Sequence, residues 1–192
     1  MNLLALDTST ESCSAAITIN GVLYQQQQMT QRGHSTLILG VAQGIAFARE
    51  LPVIPVSTLA AVAQAAYEQT QQHNIAVAMD ARMDEIYAAS FQVQGGSVVL
   101  LGEEKVCPAE QFLPANTEMW FGAGTGWQVY ADTLQSNFSG QLIGQQPDIY
   151  PQAAIILKLA GQLYARGEYV SAEKALPVYL RNDVAKKKAQ QG

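Results

Sequence analysis

Twice along this chain an unbroken apolar run ends on an aspartate, enters a hairpin and gives way to a helical stripe. The first run is Leu3 to Leu6, closing on Asp7; the second is Ile75 to Met79, closing on Asp80. A strand with one wet face alternates polar and apolar residues, so an uninterrupted apolar run reads as a strand covered on both faces. After the first, Thr8-Ser9-Thr10 supplies a hydroxyl-rich turn, and Asn20-Gly21 is a strong hairpin signal joining Cys13–Ile19 to Val22–Met29. After the second, Gly95-Gly96 turns a Glu85–Val93 strand into Val98–Leu101. Two successive blocks of this kind predict an α/β fold built from a duplicated lobe. That is an architectural clue and says nothing about reaction.

Leu37, Ile38, Val41, Ala42, Ile45 and Ala48 lie at helical spacing within 34–49, with Gly40 and Gly44 among them. Each glycine weakens a helix by about 1 kcal/mol relative to alanine, so the run predicts close helix packing or a hidden break. A short strand is expected at Pro52–Val56. Ser57 or Thr58 then caps a helix carrying Leu59, Val62, Ala63, Ala66 and Tyr67. Trp120-Phe121 ends another strand, the Gly122–Gly126 loop leads into a helix through Leu134, and Pro151 opens a helix ending at Arg166-Gly167. Pro177 to Arg181 reads as extended.

With 11 Lys and Arg against 16 Asp and Glu, the net charge of -5 argues against an autonomous grip on nucleic acid, which depends on cations neutralising phosphates. The Lys186-Lys187-Lys188 run reads as a solvated tail. His34 and His73 are the only histidines, Cys13 and Cys107 stand far apart, and neither pair has metal-ligand spacing; no GxSxG elbow is present. No stretch has the pattern of a signal peptide or a membrane span, and a reduced cytoplasm fits the cysteine usage. Three clusters could still carry chemistry. Asp7-Thr8-Ser9-Thr10 is either a phosphate loop at a strand end or an ordinary turn. Asp80, Arg82 and Glu85 form either a salt-bridged turn or a set of acid, metal-ligand and phosphate-clamp groups. Gly122, Gly124 and Gly126 make either a tight strand-to-helix connection or a rest for a nucleotide.

Four segments carry a resemblance: Leu3 to Ala16 with its Asp7-Thr8-Ser9-Thr10, Val56-Ser57-Thr58-Leu59, Met79 to Ala88 with Asp80-Ala81-Arg82 and Glu85-Ile86-Tyr87, and Pro177-Val178-Tyr179-Leu180-Arg181-Asn182. Together they resemble the TsaB (YeaZ) family, related to TsaD. The resemblance implies an α/β, duplicated, actin-like (ASKHA, ribonuclease H-like) two-lobe fold with mixed sheets flanked by helices. An N-terminal lobe would span 1–56, and a C-terminal lobe, with the return of the C-terminal segment, 57–192. It further implies a non-catalytic partner of TsaD, with TsaE joining, in transfer of a threonylcarbamoyl group to the adenosine beside the anticodon of tRNA. On that reading the subunit has no catalytic residue and no metal, binds no cofactor tightly, leaves ATP to its partners, meets tRNA only through the complex, avoids membranes and forms a homodimer when alone. Its partner surface would lie on N-lobe helices through His34, Leu37, Ile38, Val41, Ala42 and Ile45. The Asp7–Thr10 loop would be a degenerate phosphate loop, and Asp80, Arg82, Glu85, Gly122, Gly124 and Gly126 would border a cleft. The competing reading is an ATP-dependent small-molecule kinase on the same fold. In one place the sequence departs from this family. Members carry a few dozen residues between Leu39 and Gly40: the rest of one helix, a strand and a glycine-rich loop opening a second helix. Losing an interior strand would leave ladder groups and apolar faces unmatched, so a gap in the visible chain is expected there rather than a deletion.

Overall fold

The computed structural model describes residues 2–29 and 35–181, with the side chains of 35–39 excepted. Its first sheet contains β1 (Leu3–Asp7), β2 (Ser12–Ile19) and β3 (Val22–Met29), antiparallel in the order β1-β2-β3. Asn20 and Gly21, both at positive φ, form the turn between β2 and β3. Next comes helix α1 (Ser35–Ala48), then α2 (Thr58–Thr70), capped by Ser57, whose hydroxyl accepts from the Ala60 N–H at 3.1 Å. The second sheet has the order β6-β5-β4-β7-β8, from β4 (Asn74–Asp80), β5 (Ile86–Gln94), β6 (Ser97–Cys107), β7 (Trp120–Ala123) and β8 (Leu142–Gln146). β4, β7 and β8 run parallel, while β4-β5 and β5-β6 are antiparallel. Short helices α3 (Gly126–Val129) and α4 (Ala131–Asn137) follow β7, and α5 (Ala153–Ala165) follows β8.

α5 returns to the first sheet and packs on β1 and β2, while α2 packs on β4, β5 and β6; the two helices also touch each other. One apolar core therefore runs from Ala5 and Ala16 through both helices to Ile75, Val77 and Met79 of β4. The alternate β4 residues, Ala76 and Ala78, face a second core of Trp120, Trp127, Leu134 and Phe138. β4 is thus covered on both faces, as its apolar run predicts.

β1 is not. Leu3, Ala5 and Asp7 face α5, but Leu4 and Leu6 are 56% and 36% exposed on the opposite face. The expectation of a doubly covered β1 fails because, among the described residues, no element lies on that side and its far edge has no neighbouring strand. α1 runs through the Leu39-Gly40 junction as one helix. Two further expectations need correction. Pro52–Val56 is no strand, since Val53 makes only an isolated bridge to Val170. Pro151 lies outside α5, ahead of the Gln152 cap. No helix among the described residues is long and apolar enough to cross a membrane.

Candidate functional site

The three clusters singled out from the sequence converge at the strand ends where the two sheets meet. At the end of β1 the Asp7 carboxylate accepts from both the N–H and the hydroxyl of Ser9, at 3.3 and 3.0 Å. Asp7 is 8% exposed, and burial pushes its carboxyl above the usual range, against the two Ser9 hydrogen bonds that favour the anion. Thr10 accepts from the Ser12 N–H through its hydroxyl, closing the turn; Thr8 makes no side-chain hydrogen bond among the described residues.

At the end of β4, Asp80 accepts from the Arg82 N–H at 2.9 Å, and its own N–H donates to the Thr125 hydroxyl at 3.0 Å, tying this strand end to the glycine loop. Arg82 also reaches back to Glu11 of the first turn at 2.9 Å. Both groups are largely exposed, so the pair adds at most about 1 kcal/mol, but it places the β1–β2 and β4–β5 turns side by side. Arg82, Met83 and Asp84 all adopt left-handed backbone, with φ of 62°, 57° and 61°. Each such residue costs roughly 1 kcal/mol or more, so a neighbour must hold the turn.

That neighbour is Arg181. Its guanidinium donates to the Ala81 carbonyl at 2.9 Å and the Arg82 carbonyl at 3.3 Å, pairs with Glu85, and lies 6.0 Å from the centroid of the Tyr87 ring. Two segments quoted for the resemblance, around Asp80-Ala81-Arg82 and Tyr179-Leu180-Arg181, thus form one unit. Arg181 stands outside the candidate residues named from the sequence. Its motif was visible, but its target lies about a hundred positions away.

The glycines of the β7–α3 loop serve close packing. A Cβ on Gly122 would sit 2.5 Å from the Trp127 ring, one on Gly124 2.5 Å from the Met79 sulfur, and one on Gly126 2.9 Å from the Ala78 carbonyl oxygen. These approaches let the Trp127 indole N–H donate to the Ala76 carbonyl at 2.9 Å. Among the described residues no three His, Cys, Asp or Glu side chains gather at metal-binding distance.

The α1 residues lie elsewhere. Gln43 donates to the Ala175 carbonyl and Ala46 is buried, so this side of α1 rests on the short 3-10 turn Ala172–Lys174. Ala42 is half-buried beside it. The other side is open, with Val41 and Ile45 56% and 52% exposed. Leu37 and Ile38 are in the helix, but their side chains, like all of His34, lie outside the described residues.

Comparison with known proteins agrees with this architecture. The family described as "TsaD: tRNA N6-adenosine threonylcarbamoyltransferase" matches residues 37–189. The chain is 34% identical to the tRNA threonylcarbamoyladenosine biosynthesis protein TsaB of Haemophilus influenzae, over 98% of this chain and 97% of that protein. It is 32% identical to TsaB of Escherichia coli, over 98% of each. A solved structure described as YeaZ from Pseudomonas aeruginosa superposes with a TM-score of 0.84 at 36% identity, covering 93% of this chain and 99% of that one. A second Pseudomonas aeruginosa structure, of an uncharacterized protein with similarity to peptidase YEAZ, gives the same score and identity. The Haemophilus comparison extends over 233 residues although this chain has 192, so the relative carries several dozen positions with no counterpart here. Identity at this level over nearly the whole length, on an actin-like α/β fold shared with YeaZ, makes this chain a member of the TsaB family.

Proposed function

We propose that this protein is a non-catalytic subunit in the biosynthesis of threonylcarbamoyladenosine on tRNA, acting as a scaffold and activator for TsaD. The observation that carries this reading is the match, along almost the full chain, to proteins named for that pathway. The state of the Asp7 loop supports the non-catalytic part. A carboxylate that holds a metal-bound water must be open, whereas Asp7 is buried and its oxygens accept from the Ser9 hydroxyl. On this reading the subunit binds no nucleotide tightly; ATP is consumed through its partners, TsaE among them, in the cytoplasm, and tRNA is met through the complex.

The partner surface is the open side of α1, where Val41 and Ile45 present apolar area that nothing among the described residues covers. Here that surface is one fused helix in place of two. The net charge of -5 fits a subunit that leaves the phosphate backbone to others. The test is reconstitution of tRNA threonylcarbamoylation from TsaC, TsaD and TsaE with and without this protein. Omission should abolish product, and unchanged product would remove the proposed role.

A further inference from the structure

The β5–β6 pairing opens midway along its length. Ala88 pairs with Lys105 and Ser90 with Leu101, so Ala89 alone stands opposite Gly102, Glu103 and Glu104. An insertion of this kind bends a strand and re-aims its side chains. Gly102 makes the bend at a φ of 80°, where a side chain would be strained. The Ser57 hydroxyl donates to Glu104, which places that carboxylate on the α2 side of the sheet. Glu103 and Lys105, on either side of it in sequence, both line a cavity on the opposite face.

This cavity, of about 210 Å³, lies between the bulge and the chain that follows β6. Leu101, Phe112 and Leu113 give it apolar lining, and Ser90, Glu103 and Lys105 give it polar groups. Its wall is well supported. Asn137 donates to the carbonyls of Ala109 and Phe112, at 2.9 and 3.0 Å, and the Phe112 and Phe138 rings pack with centroids 5.4 Å apart. Ser90 is 5% exposed, and its hydroxyl has no hydrogen-bond partner among the described residues. None of these residues has a part in the role proposed above.

The lining limits what could bind. Glu103 and Lys105 carry opposite charges into one cavity yet form no ion pair with each other; Lys105 donates instead to the Gln111 carbonyl at 3.3 Å. An anion alone would face the Glu103 carboxylate, and a purely apolar molecule would strip water from both charges without replacing it. A molecule bearing both charges avoids each cost. The volume lies below the roughly 300–1,000 Å³ of pockets for drug-sized ligands, and at about 30 Å³ per water-sized group it holds about seven non-hydrogen atoms. We propose that the cavity binds a small aliphatic α-amino acid. Its carboxylate meets Lys105 and the Ser90 hydroxyl, its ammonium meets Glu103, and its side chain rests on Phe112 and Leu113. The proposal does not depend on the tRNA-modification role.

The test is a heteronuclear NMR titration of the isotopically labelled full chain with L-valine, read at the amides of Ala89, Ser90, Gly102 and Glu103. These amides should shift together and saturate with a Kd on the order of 1 mM, as expected for so few atoms. Isobutylamine, which lacks the carboxylate, and isovalerate, which lacks the ammonium, should each bind roughly tenfold more weakly. Glu103→Gln and Lys105→Gln should each weaken L-valine by a similar factor, with amides remote from the cavity unmoved to show that the variants fold. Absence of a saturable shift at these four amides, with L-valine in large excess over that Kd, would overturn the proposal. Isovalerate binding as tightly as L-valine would reject the zwitterion in favour of a plain anion, and an unchanged Kd in both variants would move the ligand out of this cavity.

Discussion

Replacing Arg181 by alanine removes the group that holds the left-handed Arg82–Asp84 turn against the rest of the fold. The side chain is 14% exposed and makes two hydrogen bonds to main-chain carbonyls, of Ala81 and Arg82, and an ion pair with Glu85. At about 1 kcal/mol net for each interaction, the loss is about 3 kcal/mol. For a chain of this size 1 kcal/mol lowers Tm by about 2–4 °C, so a fall of roughly 6–12 °C is expected. Differential scanning calorimetry of wild type, Arg181→Ala and Arg181→Lys reads it directly. Lysine keeps the charge but has no planar fork to span two carbonyls and a carboxylate, so it should recover less than half of the loss. Proteolysis should move to Arg82 in the alanine variant, because the turn is exposed and loses its clamp. A Tm change below about 2 °C for Arg181→Ala would refute the reasoning, since it would mean the turn holds its left-handed backbone unaided.

Asp7→Asn should raise stability at neutral pH. Burial raises the Asp7 carboxyl above its unfolded value, so folding favours the protonated form: the native state is relatively stabilised at low pH and loses that advantage as pH rises from the unfolded to the folded value. The gain from Asn should therefore grow as pH rises from the unfolded toward the folded value and vanish below about pH 4, as thermal melts across pH will show. Gly124→Ala should cost about 2–3 kcal/mol in chemical denaturation, because φ is +98° and the new methyl would meet the Ala78 carbonyl oxygen at 2.7 Å. Gly161→Ala, in open space on α5, should instead stabilise by about 0.5–1 kcal/mol. In hydrogen exchange at a dilution that favours the monomer, β1 amides should exchange well before those of β4, which is hydrogen-bonded on both edges and covered on both faces.

The contrast between β1 and β4 shows where sequence reading stops. Leu-Leu-Ala-Leu-Asp and Ile-Ala-Val-Ala-Met-Asp carry the same pattern, and both form strands ending on aspartate. Whether the second face is covered depends on segments elsewhere: β4 has β5, β7, α2 and the Trp127 layer, while among the described residues β1 has only β2 and α5. The resemblance implies a strand after Leu39 that this chain does not carry, and the Haemophilus relative has several dozen positions with no counterpart here. Its absence was legible as a departure at Leu39-Gly40, but the outcome, one fused helix, was not. β8 escaped notice because Gly144, Gln145 and Gln146 break any apolar alternation; it forms because β7 offers a parallel edge. At the candidate site the aspartates were legible as strand ends and the glycines as a loop. The closure of Asp7 by Ser9 is a contact two residues apart, within reach of the turn reading, but the reach of Arg181 to Ala81 and of Trp127 to Ala76 joins distant residues, which no local pattern encodes.

The central claim, that this chain is a scaffold and not a catalyst, is tested most directly by stoichiometry. With TsaC, TsaE, ATP and tRNA in excess and TsaD fixed, the initial rate of threonylcarbamoyladenosine formation is measured as this protein is titrated in. A structural subunit acts only while bound, so the rate should rise in proportion to added protein and level off at one equivalent per TsaD, with Asp7→Ala giving the same plateau. A full rate at a small fraction of one equivalent, or a plateau lost with Asp7→Ala in a protein that still folds, would contradict the account.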